Sequence, residues 1–230
     1  MRKKRWAMAA AAAGLVLMMT GCSSALDGDA LYQDGADRYF PLAKGMHSVL
    51  MSLHEGEWTI GDGGHGAMPT SCRADDGGAG YFLDYVRALS TDISDPQQVS
   101  DTAARAFEKL GLTPDAYVLG DGDDAEWYVV AEGDPVGRAV VTIRPVRGEI
   151  DVTARTACTP GDSNELSGMV LDDAEVPDMD AWRRLPATEV PESVPQFYFP
   201  KDGPVYYNAD RTPVQPQPLV TDPPKAPYGS

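Results

Sequence analysis

The chain has 230 residues and a formal charge of −16 at pH 7, with 35 acidic against 19 basic residues. This excess of negative charge argues against a nucleic-acid partner, because proteins bind phosphate backbones largely through Lys and Arg. The length suits one domain of ordinary size with extensions at its ends.

The N-terminus has the layout of a secretory signal peptide. Met1 to Arg5 contains four basic residues, and an uncharged apolar run follows from Trp6 to Met19. This run of about 14 residues is shorter than the ~20 that a helix needs to cross the hydrocarbon core of a bilayer. We therefore predict a signal peptide over residues 1–21 in preference to a transmembrane helix.

The residues Met19-Thr20-Gly21-Cys22 resemble the lipobox of bacterial lipoproteins. The resemblance implies cleavage after Gly21, a diacylglyceryl thioether on Cys22 and acylation of the freed amine by a fatty acid such as palmitate. Two or three chains hold a protein firmly, because each buried methylene contributes ~0.8 kcal/mol. The implied location is the extracytoplasmic face of the cell membrane, with residues 22–30 as lipidated N-terminus and spacer.

Two cysteines are left after lipidation, Cys72 and Cys158. An even pair in an oxidising, exported compartment predicts a disulfide. Neither residue has the CxxC or Cys/His spacing of a metal or redox site. In the chain-entropy model, closing a loop of this length stabilises the fold by ~4–5 kcal/mol.

A first helix is predicted between Pro41, which starts or kinks it, and Gly56, which is suited to end it. Its apolar residues recur at the spacing of one helix face: Leu42, Met46, Val49 and Leu53. His47 and His54 lie seven residues apart on this segment. Because no third ligand is spaced with them, we interpret them as surface or half-buried residues and expect no metal site.

A second helix is predicted after Asp95, whose carboxylate can accept hydrogen bonds from the N–H groups of the first turn. Pro96 suits the first helical position, Gln98 completes a capping box and Gly111 ends the helix. The buried stripe is then made of Val99, Ala103, Phe107 and Leu110.

Two loop sequences match ligand-binding motifs only in part. The run Gly61-Asp62-Gly63-Gly64-His65-Gly66 fits GxGxxG, but Ala67-Met68-Pro69 follows where a nucleotide-binding fold needs a helix. The run Asp121-Gly122-Asp123-Asp124 begins like a calcium loop, but Glu126 stands at the sixth position, where that loop needs glycine. We interpret both as solvated loops and expect no cofactor.

The remaining apolar runs predict strands separated by turn sequences. They are Glu57–Ile60, Tyr81–Leu89, Trp127–Ala131, Ala139–Ile143 and Ile150–Cys158. In the last run, alternation puts Cys158 on the same inward face as Ile150 and Val152. We predict an α+β fold for residues 31–159, in which two helices pack on an antiparallel sheet of about four strands closed by one disulfide.

From Pro160 onward the composition changes, since residues 160–230 hold 13 of the 19 prolines. We predict a mostly extended Pro-rich tail. Within it, Phe197 to Tyr207 places two aromatic pieces around a turn, which predicts a small hairpin packed on the domain. A docking arm for a partner or an envelope polymer is the alternative, and it is less favoured because exposed aromatic clusters are costly.

No catalytic pattern stands out in the sequence. It contains neither GxSxG nor SxxK, and His54-Glu55-Gly56-Glu57-Trp58 lacks the second histidine of HExxH. Paired carboxylates stay open as a hypothesis, because the fold rather than the sequence brings such pairs together.

With the lipobox, the Asp95-Pro96 helix, the hairpin block and the closing Thr156-Ala157-Cys158, residues 1–160 resemble small lipoproteins of the actinobacterial cell envelope. The resemblance implies envelope location and lipidation of Cys22, and it transfers no catalytic residue. We expect a membrane-anchored binding or interaction module with an envelope protein partner. The alternatives are an envelope enzyme or enzyme inhibitor that uses a carboxylate-lined groove, and a structural lipoprotein without a small-molecule site.

Overall fold

The computed structural model describes residues 26–60, 67–171, 188–195, 197 and 215–216. In these ranges, three helices accompany a nine-stranded sheet whose strand pairs are all antiparallel. The predicted α+β class, antiparallel sheet and disulfide are confirmed. The prediction of about four strands and two helices was too low.

The helices are α1 Gly28–Leu53, α2 Pro96–Lys109 and α3 Ser163–Leu171. The strands are β1 Trp58–Ile60, β2 Met68–Arg73, β3 Ala79–Ser90, β4 Thr113–Leu119, β5 Glu126–Gly133, β6 Val136–Arg144, β7 Glu149–Arg155, β8 Thr159–Pro160 and β9 Thr188–Glu189. Neighbouring strands follow the order β4-β5-β6-β7-β3-β1-β9, and β2 and β8 also pair with β3.

β3 organises the sheet because its 12 residues are long enough to pair with four other strands. Its first half pairs with β2 and β8, and its second half pairs with β7 and β1. Alternate side chains enter the interior, as the period of two requires: Tyr81, Leu83, Tyr85, Arg87 and Leu89.

α1 is longer than predicted, since it begins at Gly28 and contains Pro41 in its interior. The turns before Pro41 bury Leu31 and Tyr39 in the same core as the turns after it. Packing of this apolar face outweighs the hydrogen bond that proline removes.

α2 begins as predicted. The carboxylate of Asp95 accepts a hydrogen bond from the backbone N–H of Gln98 at 3.0 Å, and Pro96 occupies the first turn. Its predicted stripe lies in or against the core: Val99, Ala103, Phe107 and Leu110.

Four strands were missed by the sequence prediction: β2, β4, β8 and β9. β2 contains Pro69 and β4 contains Pro114, and neither strand alternates between buried and exposed residues. β8 and β9 have two residues each. A strand without alternation gives no period-two signal, and proline argues against a central strand.

The disulfide joins Cys72 of β2 to Cys158, which is 86 positions away in the sequence. The prediction that Cys158 points inward was wrong, because β7 ends at Arg155 and its alternation does not extend to residue 158, which is exposed. The bond lies against Gly80 of β3. A Cβ atom there would stand 2.9 Å from Sγ of Cys158 and 2.8 Å from the carbonyl oxygen of Thr159.

Residues 160–230 are not wholly extended. Ser163–Leu171 forms α3, and Phe197 is buried in the domain. The signal peptide with Cys22, the Gly61–Gly66 loop and the rest of the predicted aromatic hairpin lie outside the described residues. None of the helices in the described ranges combines the length and the apolar character that a membrane span needs.

Gly80→Ala should lower the free energy of unfolding by ~2–3 kcal/mol, because its Cβ meets backbone and disulfide atoms that cannot easily move. Gly45→Ala is the matched control in α1, where the nearest atom, Cδ1 of Leu110, is 3.4 Å from the added carbon. That change should raise stability by ~0.8–1 kcal/mol through helix propensity. Urea unfolding measures both, and an unchanged midpoint for Gly80→Ala would contradict the described packing.

Candidate functional site

Glu189 of β9 carries a carboxylate inside the domain, where the residue is 7% exposed. Three side chains donate hydrogen bonds to it: His47 Nδ1 at 2.6 Å, Tyr85 Oη at 2.7 Å and Arg87 Nε at 2.6 Å. These four residues, here called the Glu189 network, come from α1, β3 and β9. The carboxylate therefore joins three segments that are distant in the sequence.

Arg87 brings a permanent positive charge into the same interior, where the residue is 5% exposed. Besides its bond to Glu189, its Nη1 donates to the carbonyl oxygen of Val86 at 2.8 Å. Its guanidinium carbon also lies 4.1 Å from the centroid of the Tyr85 ring. A buried charge is tolerated only when it is paired and hydrogen-bonded, so Arg87 depends on Glu189.

Two tyrosines complete the surroundings of this ion pair. Burial raises the pKa of Tyr39 to about 12, with Arg87 acting against the rise and Glu189 adding to it. Burial also raises the pKa of Tyr85 well above its usual value, although the charge of Arg87 opposes this. Both phenols therefore stay protonated at neutral pH, and Tyr85 can donate its proton to the carboxylate.

Strand pairing places Glu189 in the network. β9 pairs with β1 so that Glu189 lies opposite Trp58, a buried residue. Nε1 of Trp58 donates to the carbonyl oxygen of His54 at 3.1 Å, which ties β1 to the end of α1. The register of two short strands therefore determines where the carboxylate lies.

Phe197, eight residues after Glu189, also anchors the C-terminal segment to the domain. The ring of Phe197 is buried, with centroids 5.0 Å from Tyr32, 5.8 Å from Tyr39 and 6.2 Å from Phe40 of α1. A Cβ atom at Gly35 would lie 3.3 Å from Cζ of Phe197, so the small residue leaves room for the ring. The C-terminal segment, residues 188–195 and 197, is thus held by the pairing of β9 with β1, by the charge of Glu189 and by the ring of Phe197.

The other end of the α1–β3 contact has its own polar cluster. Tyr81 donates to Oδ2 of Asp34 at 2.5 Å, and Nε of Arg38 donates to the same oxygen at 2.7 Å. Burial, followed by the hydrogen bond to Asp34, raises the pKa of Tyr81. Asp34, near the start of α1, binds Tyr81, near the start of β3. His47, later in α1, binds Glu189, which also binds Tyr85, later in β3. α1 therefore runs in the same direction as β3.

A third cluster lies on the sheet face opposite the helices. Arg144 binds Asp151, Glu126 at 3.2 Å and Glu149 at 3.7 Å. The hydrogen bond from Tyr128, with the charge of Arg144, lowers the pKa of Glu126. The carboxylates of Glu126, Glu149 and Asp151 therefore converge on the guanidinium of Arg144, which neutralises part of their charge.

The His47–Glu189 pair resembles a base oriented by a carboxylate, and the His47 side chain is 19% exposed. Within the described residues, its hydrogen bonds include none to a hydroxyl or thiol. No group of three or more metal-binding side chains occurs there either. The arrangement therefore fits the positioning of a chain segment better than acyl transfer.

The structure separates the two predicted histidines, since His47 joins the network and the His54 side chain is exposed. It brings the two predicted disulfide cysteines together. Sequence reasoning missed Arg87 and Glu189. A charged residue at a buried position of the alternating β3 sequence was a usable signal for Arg87, but its partner lies 102 positions away.

No family model, curated protein or solved structure matches the chain.

Glu189→Gln should lower the free energy of unfolding by ~3 kcal/mol, because the amide keeps the shape but leaves Arg87 without a counter-charge. Glu132→Gln is the matched control, since it alters an exposed pair in which the Arg138 and Glu132 side chains are 42% and 61% exposed. That change should cost less than ~0.5 kcal/mol. Equal losses in urea unfolding would contradict a structural role for the buried charge.

Stability should fall at alkaline pH because Tyr39 has a folded-state pKa of about 12, above the usual value of 10.0. The protonated phenol of Tyr39 contributes ~2–3 kcal/mol to the free energy of unfolding below pH ~10, and this contribution is lost as the pH rises through ~12. Tyr39→Phe should reduce this decline by that amount in urea unfolding measured across the range. An identical decline in the variant would contradict burial of a protonated phenol.

Proposed function

We propose that the chain is a lipid-anchored lipoprotein whose domain acts as a binding module on the extracytoplasmic face of the membrane. Cys22 carries the proposal. Of the three cysteines in the chain, Cys72 and Cys158 are joined in the disulfide, which leaves Cys22 outside that bond. Its place after an apolar run and Gly21 fits lipid attachment.

The disulfide gives separate support for an exported location. Disulfides form and persist in oxidising compartments outside the cytoplasm and are rare within it. Cys72–Cys158 connects β2 to the chain after β7 and so belongs to the framework of the domain.

The spacing between anchor and domain supports a close tether. Residues 23–27 separate Cys22 from Gly28, the first residue of α1. At ~3.3–3.6 Å per extended residue, the six steps from Cys22 to Gly28 reach at most ~22 Å. The end of the domain that contains the start of α1 would therefore face the bilayer.

That end of the domain is acidic. Asp27, Asp29 and Asp162 are exposed there, and Glu165 accepts a hydrogen bond from the N–H of Gly28 at 2.8 Å. Anionic head groups would repel these carboxylates over about a Debye length. We infer that the lipid holds the domain near the membrane while its charge keeps it from lying on the surface.

A binding role is supported by apolar exposure on β4. Tyr117, Val118 and Leu119 are 41%, 43% and 54% exposed. Single exposed apolar residues are normal, but a consecutive group on one strand is a feature of interaction surfaces. A tether would raise the effective concentration of this surface toward other membrane-bound proteins.

Cys22→Ser should move the protein from the membrane fraction to the soluble fraction of a bacterial host that processes lipoproteins. The intact mass of the unaltered protein should show loss of residues 1–21 and gain of a diacylglyceryl group. The Cys72→Ser/Cys158→Ser double variant is the control, because it removes the disulfide and keeps the anchor. An unaltered protein that keeps Met1 and lacks lipid would contradict the proposal.

A further inference from the structure

β4 forms one edge of the sheet. It pairs with β5 along its whole length, and no other strand in the described part of the chain lies on its far side. The free side of an edge strand presents backbone N–H and C=O groups that can pair with another chain. β4 therefore offers a template for a further strand.

Pro114 indicates which groups point outward. It pairs with Ala131 of β5, and because proline has no N–H, it fits a position whose nitrogen faces away from the neighbouring strand. Along an antiparallel strand, the N–H and C=O groups of successive residues point alternately toward the neighbouring strand and away from it. The N–H groups of Ala116 and Val118 therefore face the free edge.

The second half of β4 lacks the features that usually protect an edge. Charged residues, proline and bulges block unwanted pairing in natural sheets, and here Pro114 and Asp115 occur only near the start of the strand. Residues 115–119 are exposed on both faces. The ring of Tyr117 stacks on Tyr128 at 5.4 Å with an interplanar angle of 12°, which holds it in a fixed position.

Negative charge borders this edge. Asp115, Asp121 and Asp124 are exposed, and in the described residues none of them takes part in an ion pair. A second copy of the chain would bring like charges together, since each carries −16. An extended segment with basic residues would instead be attracted.

The free edge also lies far from the start of α1. Leu119 of β4 pairs with Glu126 of β5, whose carboxylate binds Arg144 of β6. Arg144 pairs with Glu149 of β7, and Glu149 pairs with Ser90, the last residue of β3. Leu119 is therefore level with the C-terminal end of β3. α1 begins near the other end of β3, where Asp34 binds Tyr81. The 12 residues of β3 are separated by eleven steps of ~3.3 Å, which puts the two ends of the strand ~36 Å apart.

We propose that the free edge of β4, residues 116–119, binds an extended segment of an envelope protein in which apolar and basic residues alternate. The segment adds to the sheet as a further antiparallel or parallel strand, with backbone hydrogen bonds for affinity and the flanking carboxylates for selectivity. Its orientation away from the bilayer rests on the lipid anchor proposed above, whereas the binding itself does not.

The test uses the full chain, with or without its lipid, and fluorescent peptides of equal length that alternate Lys with Val or Glu with Val. We expect the Lys–Val peptide to bind at least ~10-fold more tightly by fluorescence anisotropy, and to weaken between ~50 mM and ~500 mM salt. Because binding is measured in solution, absence of the lipid anchor would leave this result unchanged.

Variants at Val118 separate the backbone from the side chain. Val118→Pro removes an outward N–H and should weaken Lys–Val binding at least ~10-fold, whereas Val118→Ala keeps the N–H and should weaken it less than ~3-fold. Asp121→Lys, in an exposed loop, should shift preference toward the Glu–Val peptide. Circular dichroism and urea unfolding check that each variant is folded.

Three results would overturn the proposal. The first is equal binding of the two peptides, and the second is unchanged affinity in a folded Val118→Pro variant. The third is a dimer of the protein alone that Val118→Pro converts to monomer in sedimentation, because the occupant of the edge would then be a second copy.

Discussion

The charge of Arg87 in the interior is the constraint on which the rest of the structure depends. Its side chain cannot lose that charge under ordinary conditions, and removing it from water is costly unless an anion compensates. Glu189, more than a hundred positions later, supplies that anion at 2.6 Å. The C-terminal segment is therefore part of the fold, and the sheet, α1 and this segment are expected to form together.

Polar contacts at both ends of α1 also fix its position on β3. Asp34 binds Tyr81 near the start of the helix, and His47 binds Glu189 further along. Networks of this kind favour one arrangement when each buried group has a partner. With Cys22 lipidated as proposed, the same contacts would also set the orientation of the domain relative to the membrane, with the second half of β4 facing away from it.

The sequence allowed prediction of the elements that depend on local signals. α2 has its cap, first-turn proline and apolar stripe within one segment, and β3 is rich in aromatic and aliphatic residues. β2 and β4 were missed because each contains a proline and lacks alternation, and β8 and β9 were missed because they have two residues each. The inward direction of Cys158 was wrongly inferred by extending an alternation beyond the end of β7.

The candidate site was less accessible to sequence reasoning than the fold. Arg87 gave a signal, since it interrupts the apolar residues on the buried side of β3, but nothing local identifies Glu189 as its partner. Exposure at β4 likewise follows from its edge position, which only the complete strand order reveals. Long-range pairing, rather than composition, determines both features.

A double-mutant cycle between Arg87 and Glu189 tests this view of the fold most directly. Free energies of unfolding are measured in urea for the unaltered protein, Arg87→Met, Glu189→Gln and the double variant. We predict a coupling energy of at least ~2 kcal/mol, because the double variant removes both charges and leaves neither one buried alone. Additive losses, with a coupling energy below ~0.5 kcal/mol, would contradict the dependence of Arg87 on Glu189.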